Sequence, residues 1–135
     1  MAFFDWHPNY ALGIAELDRQ HRGLLKAISD FYHALEVQAL NSAVDDLLVK
    51  LEQYAREHFR TEEAYLERYA YPHLDVQRRE HAQFIARLSQ LTQRRDERTL
   101  GGSIELTRFL KDWWREHILK SDMEYRDWLL SRGVR

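Results

Sequence analysis

Apolar side chains recur every three to four residues along most of this chain, which is the spacing that gathers them on one side of an α-helix. The first such segment extends from about Ile14 to Val37. A second follows, with a predicted N-terminal cap at Asn41-Ser42, and continues to about Tyr69. Two long helices are therefore predicted in the first half of the chain.

The pattern predicts a third helix beyond a proline. The Tyr71-Pro72 pair ends the second helix, because proline disfavours helical backbone in the residue before it. The third helix begins near Leu74 or Asp75 and ends before the charged run Arg94–Arg98, which is predicted to be an exposed loop.

A fourth helix is predicted after Gly101-Gly102, with Ser103 as its cap, and it continues at least to Ile118. The segment from Asp122 to Leu130 either extends this helix or forms a short C-terminal helix, and the pattern leaves both alternatives open. With only five Gly and two Pro residues, the composition favours helix throughout.

Four amphipathic helices with short connections predict an all-α fold, an antiparallel up-down-up-down four-helix bundle. The length of 135 residues is that of a single domain with its own core. The first dozen residues are predicted to form an irregular N-terminal arm that packs across the bundle through its aromatic side chains, Phe3, Phe4, Trp6 and Tyr10.

Composition and charge exclude several classes of protein. Because there is no cysteine, any metal must be bound by nitrogen and oxygen. With 20 Lys and Arg residues against 22 Asp and Glu residues, the chain lacks the basic excess of nucleic-acid-binding proteins. It shows neither a secretory signal pattern nor an apolar segment long enough to span a membrane. We therefore expect a cytoplasmic protein that contacts neither nucleic acid nor membrane.

Histidine and carboxylate side chains recur near one end of the predicted bundle. His58 and Glu62 are four residues apart, so they share a helix face about 6 Å from each other. Alone, this spacing is weak evidence, because such pairs are common on solvated faces. In an alternating bundle, however, the first and third helices begin where the second and fourth end. Six side chains then converge: His21, His58, Glu62, His81, His117 and Asp122.

Burying these groups together is costly unless a metal or a complete polar network compensates them. The nitrogen and oxygen ligands suit iron, manganese or zinc, and two carboxylates among four histidines suggest two metals bridged by Glu62 and Asp122. Two other histidines do not join this cluster. His33 lies about 18 Å from His21 along the same helix, and His7 lies in the arm, where a capping or surface role is predicted.

These residues resemble the bacterial hemerythrin family along nearly the whole chain. The resemblance implies a non-heme di-iron centre, with two iron ions joined by an oxo or hydroxo bridge, that binds dioxygen or another small diatomic ligand. It also implies that Glu62 and Asp122 bridge the irons, with His21 and His58 on the iron that binds dioxygen and His81 and His117 on the other. The matching motifs are Leu17-Asp18-x-Gln20-His21, His58-Phe59-x-x-Glu62-Glu63, Tyr71-Pro72 with His81-x-x-Phe84, and His117-Ile118-x-x-x-Asp122.

The chain departs from the family pattern on the third helix. Where the family has His-x-x-x-His, this chain has Gln77-x-x-x-His81, so one of five expected histidines is missing. His73 lies about 6 Å further back along the axis and cannot fill that position without rearrangement. Three hypotheses remain: the amide oxygen of Gln77 is a weak ligand, water takes the vacant position, or that metal binds poorly. We favour the second, which predicts faster autoxidation and peroxidase-like activity.

Other residues next to the ligands have two interpretations. Glu63, turned about 100° from Glu62, is predicted to be a solvated surface charge. Four apolar residues are candidates for a pocket that shields dioxygen, although ordinary core packing explains them equally well. They are Leu25, Phe59, Trp113 and Ile118.

Three classes of function are consistent with this sequence: a reversible dioxygen binder for storage, delivery or sensing, a di-iron enzyme acting on peroxide or nitric oxide, and a partner-binding bundle. Histidine-rich ligation favours oxygen binding over the carboxylate-rich centres that activate oxygen. Gln77 keeps the enzyme hypothesis open. We expect a stand-alone monomer that binds and transports oxygen.

Overall fold

The computed structural model describes residues 5–36, 40–93 and 100–135, and within these ranges it contains helices and turns but no strand. The predicted all-α helical bundle is confirmed. None of the helices in these ranges is long and apolar enough to cross a membrane. Phe3, Phe4, Val37 and the predicted loop Arg94–Arg98 lie outside the described residues. The elements are α1 (Ala15–Glu36), α2 (Leu40–Arg68), α3 (Leu74–Gln93), α4 (Leu100–Asp112), a π-helical segment (Trp113–Asp122) and α5 (Met123–Ser131).

Residues early in one helix contact residues late in the next helix, and residues late in the first contact residues early in the next. Arg19 near the start of α1 lies 3.2 Å from Glu57 in the second half of α2, whereas Asp30 later in α1 lies 3.8 Å from Lys50 earlier in α2. This is the sense that an alternating bundle requires, and it brings the predicted ligands to one level. The contacts of α3 with α2 and with the last helix follow the same order: Arg78–Glu63, Phe84–Phe59, Glu80–Ser121 and Arg87–Glu105.

Two predicted helix starts are wrong. α2 is already helical at Leu40, so Asn41-Ser42 lies within its first turn. α4 is helical from Leu100 and includes Gly101-Gly102, so Ser103 is an interior residue rather than a cap. A helical glycine costs roughly 1 kcal/mol relative to alanine. Burial of apolar side chains further along the same helix outweighs that local cost.

The last helix does not end at the predicted ligands. Asp122 and Met123 both have right-handed helical backbone, so the π-helical segment passes directly into α5. The C-terminal segment is therefore an extension of the fourth helix, which settles the alternative that the sequence left open. Tyr125 and Leu129 are both 0% exposed and anchor this extension in the core.

Two apolar clusters fill the bundle, one on each side of the predicted ligands. On α1, Leu17 belongs to the smaller cluster and Leu24 to the larger, with His21 between them. On α2 the order is reversed, since Ala55 belongs to the larger cluster and Leu66 to the smaller. A layer of buried polar side chains therefore separates two apolar regions, whose packing fixes the level at which the polar groups meet.

The N-terminal arm packs against the larger cluster, as predicted, through Trp6 and Tyr10. Tyr10 ends a 3-10 turn (Pro8–Tyr10), and its ring lies 5.3 Å from that of Trp114 in an edge-on arrangement. His7 caps this turn by accepting a hydrogen bond from a backbone N–H two residues later, at 3.1 Å. The predicted capping role of His7 is confirmed.

Candidate metal centre

The six side chains predicted to converge do meet, between the two apolar clusters. Each of these residues has at most 2% of its surface exposed. Charged and ionisable groups are rarely buried to this extent unless they are paired or bind a metal. The buried set is His21, His58, Glu62, His81, His117 and Asp122.

Four of these residues form the first of two ligand groups. His21, His58, Glu62 and Asp122 each offer one atom, and all four atoms lie within 4.8 Å of one another. Nε2 of His58 lies 3.0 Å from Oε2 of Glu62, and Nε2 of His21 lies 3.3 Å from Oδ2 of Asp122. These are nitrogen and carboxylate oxygen atoms, so the group offers the mixed ligand set that first-row transition metals bind.

The second ligand group consists of Glu62, His81 and His117. Oε1 of Glu62 lies 2.8 Å from Nε2 of His81 and 3.7 Å from Nε2 of His117. Asp122 also reaches this group, because its Oδ1 lies 3.1 Å from Nε2 of His117. Each carboxylate therefore contacts imidazoles of both groups, which is the arrangement that two bridged metals need.

Two helix geometries place the ligands on shared faces. His58 and Glu62 are four residues apart on α2 and are turned by only about 40° from each other. His117 and Asp122 are five residues apart, which in an α-helix would turn them by about 140°. Because the segment that contains them is π-helical, with its wider repeat of i→i+5, residues five apart come to the same side. The π-helical segment is thus what joins these two side chains.

The hydrogen-bonding possibilities of the cluster fit a metal better than a polar network. Nδ1 of His58 lies 2.6 Å from the amide oxygen of Gln20, which only accepts, so this nitrogen carries the proton. Neutral His58 then directs a lone pair at the Glu62 carboxylate and at Nε2 of His21, which lies 3.1 Å away. Two acceptors facing each other repel unless a cation lies between them.

Several buried polar atoms of the cluster have no hydrogen-bond partner in the described part of the chain. They include Nδ1 of His21, Oδ2 of Asp122 and both ring nitrogens of His117, although carboxylates lie nearby. Unpaired buried polar atoms are costly, and their concentration here calls for an additional partner. The residues present therefore fit a pair of metal ions.

Burial and charge shift the pKa values of this cluster. Burial favours a higher pKa for Glu62, but the neighbouring imidazoles, chiefly His58, hold it well below its usual value. Burial lowers the pKa of His58 more than Glu62 raises it. For His117, burial is outweighed by the Asp122 carboxylate, so the pKa is raised well above its usual value. The pKa of His81 is raised by the nearby carboxylates, against the effect of burial.

The polar cluster lies inside a region with a known family signature. Residues 12–129 match the family model described as the hemerythrin HHE cation binding domain. This match covers most of the chain and includes all six buried ligand candidates. The chain belongs to the hemerythrin family.

Two bacteriohemerythrins and a myohemerythrin are among its hemerythrin relatives. The bacteriohemerythrin of Clostridium acetobutylicum is 32% identical over 128 residues, which cover 92% of this chain and 99% of the relative. That of Stenotrophomonas maltophilia is 28% identical, over 94% of this chain and 82% of the relative. The myohemerythrin of Theromyzon tessulatum is 24% identical over 91% of each chain. The resemblance seen in the motifs is confirmed.

Gln77 occupies the position where the hemerythrin motif led us to expect a fifth histidine. It is 1% exposed, and its Nε2 donates a hydrogen bond to Oδ1 of Asp122 at 3.1 Å. Its amide oxygen has no partner in the described residues. His73 is exposed in the turn before α3 and does not take part in either ligand group.

Sequence reasoning missed the side chains that contact the outer nitrogens of the imidazoles. Glu63, predicted to be a solvated charge, has its Oε2 2.8 Å from Nδ1 of His81, so that prediction is wrong. The rotation of about 100° from Glu62 turns Glu63 toward α3 rather than toward water. Glu80 lies 3.6 Å from Nδ1 of His117.

The shared carboxylate has a further partner that the sequence did not indicate. Tyr125 donates a hydrogen bond from its hydroxyl to Oε2 of Glu62, at 2.7 Å. Tyr125 is fully buried on α5, three residues beyond Asp122. Buried tyrosine hydroxyls usually need a partner, and this requirement was the signal available in the sequence.

The four candidate pocket residues are all buried. Phe59 stacks on the imidazole of His81 with ring centroids 3.9 Å apart, and Trp113 stacks on His117 at the same distance. Leu25 and Ile118 are 2% and 0% exposed and belong to the larger apolar cluster. The second ligand group is thus covered by aromatic rings.

Proposed function

We propose that this chain binds two iron ions in the buried cluster and binds dioxygen reversibly, for storage, delivery or sensing. The observation that carries the proposal is that the carboxylates of Glu62 and Asp122 each contact imidazoles of both ligand groups. When bound, a pair of irons supplies the redox chemistry by which dioxygen is taken up and released.

The ligands divide into two metal positions that share their carboxylates. His21 and His58 would hold the first iron, and His81 and His117 the second, while Glu62 and Asp122 would bridge the two. Imidazole and carboxylate together suit iron. The similar chains are named bacteriohemerythrin and myohemerythrin, and hemerythrins carry a non-heme di-iron centre, which supports iron over zinc or manganese.

Side chains outside the ligand set orient the imidazoles. A carboxylate or amide oxygen on the outer ring nitrogen keeps the proton there and presents the other nitrogen to the metal. His58 has Gln20 in this role and His81 has Glu63. Tyr125 restrains the bridging carboxylate of Glu62 through its hydroxyl.

Apolar side chains keep water and protons away from the proposed site of dioxygen binding. Leu25 and Ile118 lie within one turn of a ligand on their own helices, and both are buried. Phe59 and Trp113 cover the imidazole faces of His81 and His117, at the other metal position. Apolar side chains that exclude water slow the delivery of protons to dioxygen, which favours the release of dioxygen over its reduction.

Elemental analysis combined with the visible spectrum tests the proposal. We expect two irons per chain and a visible absorption that is lost on reduction, returns on exposure to dioxygen and disappears again under vacuum. A content of one iron or none overturns it. The variant His58→Ala should lose iron, whereas His33→Ala, which removes an exposed histidine of α1, should retain it.

A di-iron protein that acts on peroxide or nitric oxide is the second candidate. The observation that favours it is the buried amide of Gln77 where a histidine ligand is expected. Steady consumption of hydrogen peroxide or nitric oxide by the iron-loaded protein, reduced in Gln77→His, would support this function. A stable oxygenated protein that consumes neither hydrogen peroxide nor nitric oxide would support the oxygen-carrier function.

We also propose a single-domain monomer that transports oxygen in the cytoplasm. The near-neutral charge, with 20 basic and 22 acidic residues, supports the absence of nucleic-acid partners. Sedimentation of the iron-loaded protein tests the monomer, because a dimer would have twice the mass.

A further inference from the structure

Each metal position would have four ligands from the chain, because Glu62 and Asp122 contact both ligand groups. The first position adds His21 and His58, and the second adds His81 and His117, one imidazole fewer than the hemerythrin motif led us to expect. The buried side chain nearest to completing the second position is Gln77, one helical turn before His81 on α3. The second metal would therefore have room for a ligand that the protein does not provide.

The orientation of Gln77 argues against the amide as that ligand. A carboxylate oxygen only accepts hydrogen bonds, so the contact of 3.1 Å with Asp122 requires the NH₂ end of the amide to face this carboxylate. An NH₂ group has no lone pair for a metal. In this position Gln77 holds Asp122 and leaves the metal position open.

A small cavity lies on the other side of Gln77. Its volume is about 110 Å³, and it is bounded by the turn before α3 and the end of the π-helical segment. Gln77 connects the cavity to the cluster, because it lines the cavity and also contacts Asp122. The lining residues are Tyr71, His73, Val76, Gln77, Ser121 and Glu124.

Volume and charge define the ligand class. A cavity of about 110 Å³ is well below the roughly 300 to 1,000 Å³ of sites for larger organic molecules, so it fits molecules of a few atoms. Two irons carry at least four positive charges, against the two negative charges of Glu62 and Asp122 and the one of a hydroxo bridge, so the loaded centre keeps a net positive charge. A bound metal dominates its local electrostatics, so the loaded site attracts anions.

We propose that the metal position formed by His81, His117 and Glu62 binds a small anion of up to three heavy atoms, which reaches it through the cavity beside Gln77. The inference rests on the proposed function, because the position exists only when metal is bound. Gln77 acts as a gate: its side chain must release Asp122 and turn aside before the anion can pass. The second position is thus separate from the one formed by His21 and His58.

Azide titration of the iron-loaded protein tests this proposal, with iron content measured first on each sample. We expect two irons per chain and two azide binding events, seen by calorimetry and by the visible spectrum. In Gln77→His, whose imidazole would complete the second position, one event should remain. Val76→Phe narrows the cavity and is the matched second variant. It should slow one of the two binding phases severalfold and leave the other phase unchanged.

Each remaining outcome is decisive. Two irons with a single azide event in the parent protein overturn the inference and leave the proposed function standing. Two events that persist in Gln77→His, or rates of both phases in Val76→Phe that equal those of the parent protein, also overturn it. Fewer than two irons per chain overturns the proposed function and this inference together.

Discussion

Glu63 and His81 form a contact of 2.8 Å between Oε2 and Nδ1, while Nε2 of the same imidazole lies 2.8 Å from Glu62. One imidazole thus joins two consecutive carboxylates of α2. Because the Glu63 carboxylate only accepts, Nδ1 must carry a proton, which leaves Nε2 as the nitrogen that would bind a metal at this position. Glu63 is therefore a positioning residue for the proposed second iron.

Replacement of Glu63 by glutamine should weaken iron binding without unfolding the bundle. Loss of such an outer partner typically lowers metal affinity by about 10- to 100-fold. Competition with a chelator, followed by the visible spectrum, measures the change. Glu67→Gln is the matched control, because this exposed residue of α2 lies 3.5 Å from the same arginine, Arg78, that contacts Glu63. Equal losses in both variants would show that Glu63 acts only through surface charge.

Removal of iron should lower the stability of the whole bundle. The ligands come from α1, α2, α3 and the π-helical segment, so the metals join all the helices that surround the cluster. A ligand present at about 1,000 times its Kd adds about 4 kcal/mol to stability. For a chain of this size, that corresponds to a fall of about 10 to 20 °C in Tm when iron is removed. Thermal melts with and without iron measure it.

An unchanged Tm would favour the third class of function, a partner-binding bundle whose folding does not depend on metal. His58→Ala provides the control for this experiment, because it should melt at the same temperature with and without added iron. The exposed-histidine variant His33→Ala should still respond to iron.

The helices and the six converging side chains were predictable because apolar periodicity and topology are visible in a single sequence. The π-helical geometry was also encoded, in the spacing of five residues between His117 and Asp122. In an α-helix this spacing separates two side chains by about 140°, so the spacing alone indicates a wider helix. Apolar periodicity, from which the fourth helix is predicted, assumes 3.6 residues per turn and therefore does not indicate this wider segment.

The outer contacts of the imidazoles were not predictable in the same way. Whether Glu63 faces water or α3 depends on the position of a neighbouring helix, which no local pattern specifies. The predicted start of α4 is wrong for a similar reason. Gly101-Gly102 favours a break locally, and packing of the later apolar face overrides that preference.

Two glycine-to-alanine substitutions should change stability in opposite directions. Gly23 lies in the middle of α1, and a Cβ there would meet nothing within 4 Å, so alanine should stabilise by about 0.5 to 1 kcal/mol. Gly13 has φ +81°, and a Cβ would lie 3.5 Å from Leu130. Alanine at this position should destabilise by about 1 to 2 kcal/mol. Urea unfolding of iron-free samples measures the change in unfolding free energy for each variant. If both variants were stabilised, or both destabilised, the backbone argument would be contradicted.

Replacement of Gln77 by histidine should lengthen the lifetime of the oxygenated protein. An open position on the second iron would let water or small anions reach the centre and promote autoxidation, in which each iron loses one electron and the dioxygen, with two protons from water, leaves as hydrogen peroxide. A third imidazole closes that position, while the first position, formed by His21 and His58, is unchanged.

The lifetime is measured as the decay of the visible absorption in air at constant temperature, in both proteins, after their iron contents have been matched. Val76→Phe is the companion variant, because it narrows the cavity and keeps the amide contact of Gln77 with Asp122. Its lifetime should lie between those of the parent protein and Gln77→His. If all three proteins decay at the same rate, the vacant position does not control autoxidation, and access from the side of His58 must limit it instead.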